Sequence, residues 1–269
     1  MKQTIFFILL LFLTLACITT SPSTSFDERV NTQVALAFTA TALDEIIKSV
    51  TDTPIPTEAP AFTPSPSATL LPGDPKESLG SPSWEDDLST GRNWSLEGIE
   101  KVFGDTKFFI DDEKLVAKSE TTTEGYVWWL NYRSFKDAYL EAQFTVDTCS
   151  GNDQYGLVFR SVDYESGDAY YFVITCDGKY DLRKMAESES VMMLGMPASD
   201  QINSGSNQTN ILGVWIKNDT IRLYINGQLL DEIVDKELPD EGHFGLFINA
   251  IKTPGLTIKM DNTAYWLLD

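Results

Sequence analysis

From residue 83 to residue 269 the chain runs in short apolar–polar alternations broken by Gly, Asn, Asp and Ser, and no stretch there keeps a 3.6-residue period. The alternation predicts strands over Lys107–Ile110, Lys114–Lys118, Tyr126–Tyr132, Ala138–Val146, Tyr155–Val162, Ala169–Cys176 and Lys179–Met185. It predicts further strands over Val191–Leu194, Ile211–Lys217, Thr220–Ile225, Leu229–Val234, His243–Ile248, Leu256–Met260 and Ala264–Leu268. So many short strands joined by turns suit an all-β sandwich of two packed antiparallel sheets rather than a parallel α/β sheet. Three turns set part of the register. Asn226-Gly227 has the type I′ signature, and Asn218-Asp219 makes a second two-residue turn. Cys176-Asp177-Gly178 suits a three-residue loop with Gly178 left-handed, because that loop sets Ile174 against Tyr180 and Phe172 against Leu182.

The first 82 residues follow other rules. Lys2, an apolar run from Ile5 to Leu13 and then Thr14-Leu15-Ala16-Cys17 make a signal peptide over residues 1–16. The run is shorter than the roughly 20 residues a membrane-spanning helix needs. Residues 17–25 follow as a short N-terminus. Ser25 and Glu28 form a capping box for a helix over 26–50, with apolar rows Val30, Val34, Phe38, Ala42, Ile46 and Leu36, Ala40, Leu43, Ile47, Val50. That helix either pairs as a short coiled coil or lies on the membrane or the domain. Residues 51–82 carry 8 Pro and 9 Ser/Thr in 32 positions. Such a segment buries too little apolar area to offset its ordering entropy and reads as a stalk.

Composition narrows the chemistry. The net charge is −20, with 20 Lys+Arg against 40 Asp+Glu, so nucleic acid is an unsuitable partner. One His and three Cys are too few for a His/Cys zinc cluster, and a Ser-His-Asp triad would have to use His243. An exported chain with Cys149 and Cys176 in one domain predicts a disulfide, which closes a loop of about 27 residues and contributes about 3 kcal/mol in the chain-entropy treatment.

Two resemblances sharpen these expectations. Cys17 is placed as in the bacterial lipobox, with Thr14 where Leu is usual. This implies cleavage before Cys17, lipidation of that residue, and residence at the bacterial cell envelope: the outer face of the cytoplasmic membrane or the cell surface. The partner would be the lipid bilayer, reached through the anchor. In the domain, Tyr155-Gly156-Leu157-Val158-Phe159-Arg160, Asp168-Ala169-Tyr170-Tyr171-Phe172 and Asp177-Gly178-Lys179-Tyr180-Asp181-Leu182 resemble the concanavalin A-like lectin/glucanase jelly rolls. The branch implied is the family-16-glycosidase-related, or 3-keto-disaccharide hydrolase, domain. Gly242-His243-Phe244-Gly245-Leu246 resembles the G-x-x-G-L strand that the superfamily shares with laminin-G-like modules, and Trp84-Glu85-Asp86-Asp87-Leu88…Asn93-Trp94 resembles its first strand.

The resemblance lies in turn glycines and core aromatics, so it speaks to fold more than to activity. A retaining glycosidase needs two carboxyls about 5–5.5 Å apart, supplied by same-face acids on a strand. No such run occurs here: Glu113, Glu141 and Asp147 stand alone, and Glu187-Ser188-Glu189 reads as a loop. Alternation instead suggests a ligand platform. With Leu157, Phe159, Phe172 and Ile174 facing the core, Arg160, Tyr171, Asp181 and Arg183 share the other face, Arg160 opposite Tyr171 and Tyr171 opposite Arg183. An aromatic ring, planar donors and a carboxylate suit a sugar; the same face read blandly is a solvated surface with an ion pair. Trp129 and Trp215 join that face or the core. The expected ligand is a glycan or other cell-surface ligand bound without catalysis. The alternatives are a sugar-active enzyme and a laminin-G-like adhesion module. No cofactor is expected beyond a structural calcium, for which Asp86, Asp87, Asp147, Asp153 and Asp163 offer oxygens without an assigned set.

Overall fold

The computed structural model of the protein describes residues 73–123, 125–187, 189–238 and 240–269. The signal peptide, Cys17, the helix over 26–50 and the stalk as far as residue 72 lie outside the described residues.

A short helix α1 (Lys76–Leu79) precedes β1 (Trp84–Asp86), a 3-10 turn (Arg92–Trp94), β2 (Lys101–Phe103), β3 (Thr106–Asp111), β4 (Lys114–Ser119), β5 (Val127–Phe135) and β6 (Ala138–Val146). Then follow β7 (Gln154–Ser161), β8 (Ala169–Thr175), β9 (Tyr180–Ala186), β10 (Glu189–Met192), β11 (Gln208–Lys217), β12 (Thr220–Ile225), β13 (Gln228–Val234), β14 (Gly242–Asn249) and β15 (Leu256–Leu267). The strands form two antiparallel sheets. A nine-stranded sheet runs β13-β12-β11-β6-β15-β4-β3-β2, with β1 also paired to β15, and a six-stranded sheet runs β10-β9-β8-β7-β14-β5.

The main core lies between the sheets. It takes Leu157, Phe159, Phe172, Ile174 and Leu182 from one and Leu140, Ala142, Phe144, Val214 and Ile216 from the other. Each set sits at alternate strand positions, which is why the period-2 pattern was readable. The turns also agree. Ile225 pairs with Gln228 across Asn226-Gly227, both at positive φ, and Lys217 pairs with Thr220. Gly178 sits at φ 82, and Ile174 faces Tyr180 while Phe172 faces Leu182. Cys149 and Cys176 are disulfide-bonded with Cα atoms 5.8 Å apart.

Three features were not anticipated. The three-residue β2 is too short to leave a pattern. The two strands expected at the C-terminus are one, β15, which passes through a bulge between Asp261 and Ala264 with Asn262 at φ 47. Finally, residues 73–82, given to the stalk by composition, pack on the domain. Lys76 Nζ donates to Glu141 Oε1 at 2.6 Å, Asp74 is buried, and Trp266 Nε1 donates to the Gly80 carbonyl at 2.9 Å. One ammonium that neutralises a buried Glu141 holds a segment whose composition gives no sign of it.

Two bulges face each other across β14. Gly245 pairs with Val158 and His243 with Ser161, so Phe159 and Arg160 of β7 stand against Phe244 alone. On the other side Gly245 pairs with Leu130 and His243 with Ser134, so Asn131, Tyr132 and Arg133 of β5 stand against the same residue. A Cβ on Gly245 would lie 2.0 Å from the Trp129 carbonyl oxygen, and one on Gly242 would lie 2.5 Å from the Arg160 carbonyl carbon. The Gly-x-x-Gly spacing is therefore a packing requirement. Bulges re-aim side chains, and these two decide where Arg160 and Tyr132 point.

Candidate functional site

The expected platform does not form as alternation drew it. Arg160 lies one step beyond the last β7–β8 pair, Phe159 with Tyr170, and Val158 rather than Arg160 stands opposite Tyr171. The bulge puts Arg160 at φ 50 and leaves it 1 % exposed. Its guanidinium donates to the carbonyls of Asn218 (2.7 Å), Leu238 (3.2 Å) and Lys136 (3.4 Å) and to Asp137 Oδ1 (3.4 Å). Arg160 thus ties together the β5–β6, β11–β12 and β13–β14 connections. It is a structural tie and not part of an open sugar surface. Tyr171, Asp181 and Arg183 do share a face, the side of the six-stranded sheet turned from the main core, and Tyr171 pairs with Arg183. That face is not open either. Tyr171 and Asp181 are both 0 % exposed; Tyr171 packs in a second apolar cluster with Tyr126, Val158, Val173 and Phe247, and Asp181 pairs with Val173. Alternation leaves this face open to a ligand because Tyr126, which lies across it, is not adjacent in sequence.

An open cleft lies beside β5, the edge strand of the six-stranded sheet. It has a volume of about 760 Å³ and its walls are largely aromatic: Trp94, Phe103, Tyr126, Trp128, Trp129, Tyr132 and Tyr164, with Ser95 and Glu165 among its few polar residues. The β5 bulge creates part of it. Asn131 Oδ1 accepts the Arg133 amide at 2.9 Å, and the kink throws Tyr132 outward to 51 % exposure. A chain of hydrogen bonds starting at Asp86 then orients the rings. The Asp86 carboxylate accepts Leu88 N (2.9 Å), Asn93 Nδ2 (2.9 Å) and Trp94 Nε1 (3.2 Å). Asn93 Oδ1 accepts the Tyr132 hydroxyl at 3.0 Å, and the Trp94 carbonyl accepts Trp129 Nε1 at 2.8 Å. On the far wall, Asp163 builds the Tyr164 loop by accepting the amides of Ser166 and Glu165, and those bonds hold its carboxyl below the ordinary carboxylate range. Tyr164 stacks on His243 with ring centres 4.4 Å apart.

The calcium candidates are used elsewhere. Asp86 and Asp163 serve as just described, Asp87 accepts Ser89 N, Asp147 pairs with Lys259, and Asp153 is buried under the amides of Lys252, Thr253 and Ser150. Among the described residues no three His, Cys, Asp or Glu gather into a metal-holding group. Trp129 packs at the margin of the main core and lines the cleft, whereas Trp215 lies under the Arg222 guanidinium, 4.5 Å away.

No family model matches the chain, and no curated protein matches it in sequence. Solved structures do match. A carbohydrate-binding module, CBM66, from Bacillus subtilis superposes with a TM-score of 0.50 at 18% identity, over 59% of this chain and 90% of that one. A protein of unknown function with a galectin-like fold, also from Bacillus subtilis, superposes with a TM-score of 0.50 at 15% identity, over 70% of this chain and 97% of that one. The domain shares with them an antiparallel two-sheet jelly-roll sandwich fold. At such identities the likeness is one of fold, and the jelly roll's function has to be argued from its own cleft.

Tyr126 connects that cleft to the buried face. Burial pushes its hydroxyl up to about 12, so it stays protonated across the working range. Its ring lies 5.2 Å from the Arg183 guanidinium carbon. Burial likewise raises the Asp181 carboxyl, against the opposing pull of the Leu194 amide and the Arg183 charge.

Two outcomes are expected. Arg160→Ala removes the tie and leaves three carbonyls and Asp137 facing a void, so urea unfolding should show a loss of about 3–5 kcal/mol; a platform residue on open surface would cost under about 0.5 kcal/mol. Asp181→Asn should raise the melting temperature at pH 7, by about 2–4 °C for each kcal/mol recovered. The fold raises this acid's pKa, so the penalty is absent while both states are protonated. It develops as pH rises past the unfolded value of about 3.9 and is complete above the folded value. Melting curves of variant and wild type should therefore converge in acid and separate toward neutrality.

Proposed function

We propose that the chain is a lipid-anchored protein of the bacterial cell envelope whose jelly roll binds a glycan in the cleft beside β5 and does not react with it. The observation that carries this reading is the wall of aromatic rings, of which Tyr132 and Tyr164 are each 51 % exposed. Rings held on a rigid sheet by the Asp86 network present flat apolar faces to sugar C–H surfaces at little ordering cost. A hydrolase would need a second carboxyl about 5–5.5 Å from the first. Glu165 is the one carboxylate among the described residues that line the cleft, which favours binding over glycoside hydrolysis. An adhesion module of the laminin-G type would suit a flat, filled face better than a hollow one. A carbohydrate-binding module is among the proteins that share the fold, which is compatible with the reading and does not carry it. The anchor rests on the lipobox-like Leu15-Ala16-Cys17.

A glycan array probed with the full chain in detergent tests the binding. Tyr132→Ala combined with Tyr164→Ala should weaken captured glycans by at least about tenfold while leaving the melting temperature nearly unchanged, since both rings are half exposed. An unaltered array pattern would reject the cleft as the site. Fractionation of cells expressing Cys17→Ser should move the protein from the membrane to the soluble exported fraction; persistence in the membrane would reject the lipid anchor.

A further inference from the structure

Among the described residues are five arginines. Arg92, Arg160 and Arg222 have carboxylate partners in Glu97, Asp137 and Glu232. Arg133 and Arg183 have none among the described residues, in a protein where acids outnumber bases two to one. Each instead lies against a ring that lines the cleft: Arg133 is 5.6 Å from the Tyr132 centroid and Arg183 is 5.2 Å from that of Tyr126. Around Arg183 the polar accounting stays open. Three buried atoms, Arg183 Nε, Asp181 Oδ2 and the Tyr126 hydroxyl, have no hydrogen-bond partner among the described residues. Asp181 and Arg183 are two apart on β9 and so share a face, and the Tyr126 ring lies against the arginine. Seven other buried side-chain atoms of the described residues lack partners too, but here three of them belong to residues that adjoin one another.

We propose that Tyr126, Asp181 and Arg183 form the hydroxyl-recognising end of the cleft, and that the sugar it takes is neutral. This rests on the glycan-binding reading and adds the ligand class. The unspent groups are one donor (Arg183 Nε), one acceptor (Asp181 Oδ2) and one hydroxyl able to do either. A sugar hydroxyl both donates and accepts, so adjacent hydroxyls satisfy all three. A carboxylate or sulfate only accepts. It would leave Asp181 unspent and set a second anion beside it and near Glu165, in a chain of net charge −20. The charge of Arg183 already has a neighbour in Asp181; its Nε donor has no partner among the described residues. Met185 and Met196 are partly buried against this cluster. Unbranched thioether side chains turn aside more readily than branched ones. That Asp181 is held ionisable in a buried place at a cost to stability agrees with a role beyond packing.

The test is isothermal titration of the full chain in detergent with neutral probes (cellohexaose, laminarihexaose and inulin) and acidic ones (hexagalacturonate and chondroitin sulfate). Wild type should bind at least one neutral probe and prefer it to both acidic ones by at least about tenfold. Arg183→Met, which keeps the bulk over Tyr126, and Asp181→Asn, which keeps an acceptor for the Leu194 amide, should each weaken that binding about tenfold or more while the melts stay cooperative. Preference for an acidic probe, or wild-type affinity in both variants while Tyr132→Ala with Tyr164→Ala abolishes binding, overturns this inference and leaves the glycan reading standing. Binding of none of the five probes overturns both. The neutral-versus-acidic comparison is read on the wild-type chain, so it holds even where a variant fails to fold.

Discussion

Phe244 sits between two glycines on β14, and both neighbouring strands bulge against it. Its ring packs among Trp84, Trp94, Phe135 and Tyr265, at 5.3 to 6.0 Å between centres, in the space between the sheets. The backbones of β5 and β7 come so close at Gly245 and Gly242 that no side chain fits at either position. The ladder is interrupted on both sides at the same level, and the consequences diverge. On β7 the extra residue is Arg160, whose guanidinium turns to the end of the sandwich and fastens three connections. On β5 the extra residues carry Tyr132 into the cleft and set Arg133 over Trp84 and Tyr132. One close approach of three strands thus supplies both a clamp for the loops and an exposed ring for the cleft.

The cleft is held by residues that do not touch its contents. Asp86 spends its carboxylate on a backbone amide, an asparagine and an indole, and through the last two it fixes Tyr132 and Trp129. Rings oriented by bonded neighbours lose little freedom when a ligand arrives, which is where pre-organised sites gain affinity. The opening Trp84-Glu85-Asp86-Asp87…Asn93-Trp94 segment, notable in the sequence for its resemblance to a first strand, therefore reaches the site through hydrogen bonds.

Most of the sandwich was legible because its signals are local. Alternation places the core residues, the Asn-Gly and Asn-Asp turns set two hairpins, and the demand for one apolar face settles the loop at Gly178. The site was less legible because its determinants are not local. A bulge shifts alternation at one residue, and nothing in Phe159-Arg160-Ser161 announces it; the sign lies across the sheet in the spacing of Gly242 and Gly245. Likewise Tyr126 and Asp181 are far apart in sequence, and only the fold brings their neighbourhoods together. One signal was available: Tyr126, Trp128, Trp129 and Tyr132 crowd aromatics onto both faces of a single strand region, more than one core-facing side can absorb.

Arg160 and Arg183 show that residue type and alternation do not by themselves fix a side chain's role. Alternation assigned both to one face and one task. The structure separates them by counting donors. Four acceptors surround the guanidinium of Arg160, so it is committed to the fold, and a ligand could reach it only by breaking the loops it holds. Arg183 also leaves its Nε without a partner, but it has no carboxylate partner among the described residues, lies over a ring of the cleft wall, and has beside it a carboxyl that burial makes reluctant to ionise. Folding alone would favour replacing such a pair by apolar residues of similar volume, often at no cost or with a gain in stability. An arginine held by four acceptors stabilises the domain even with its Nε left over, whereas a half-buried one without such ties is retained at the fold's expense. That expense, more than the presence of charge, is the physical ground for assigning recognition to Arg183 and structure to Arg160.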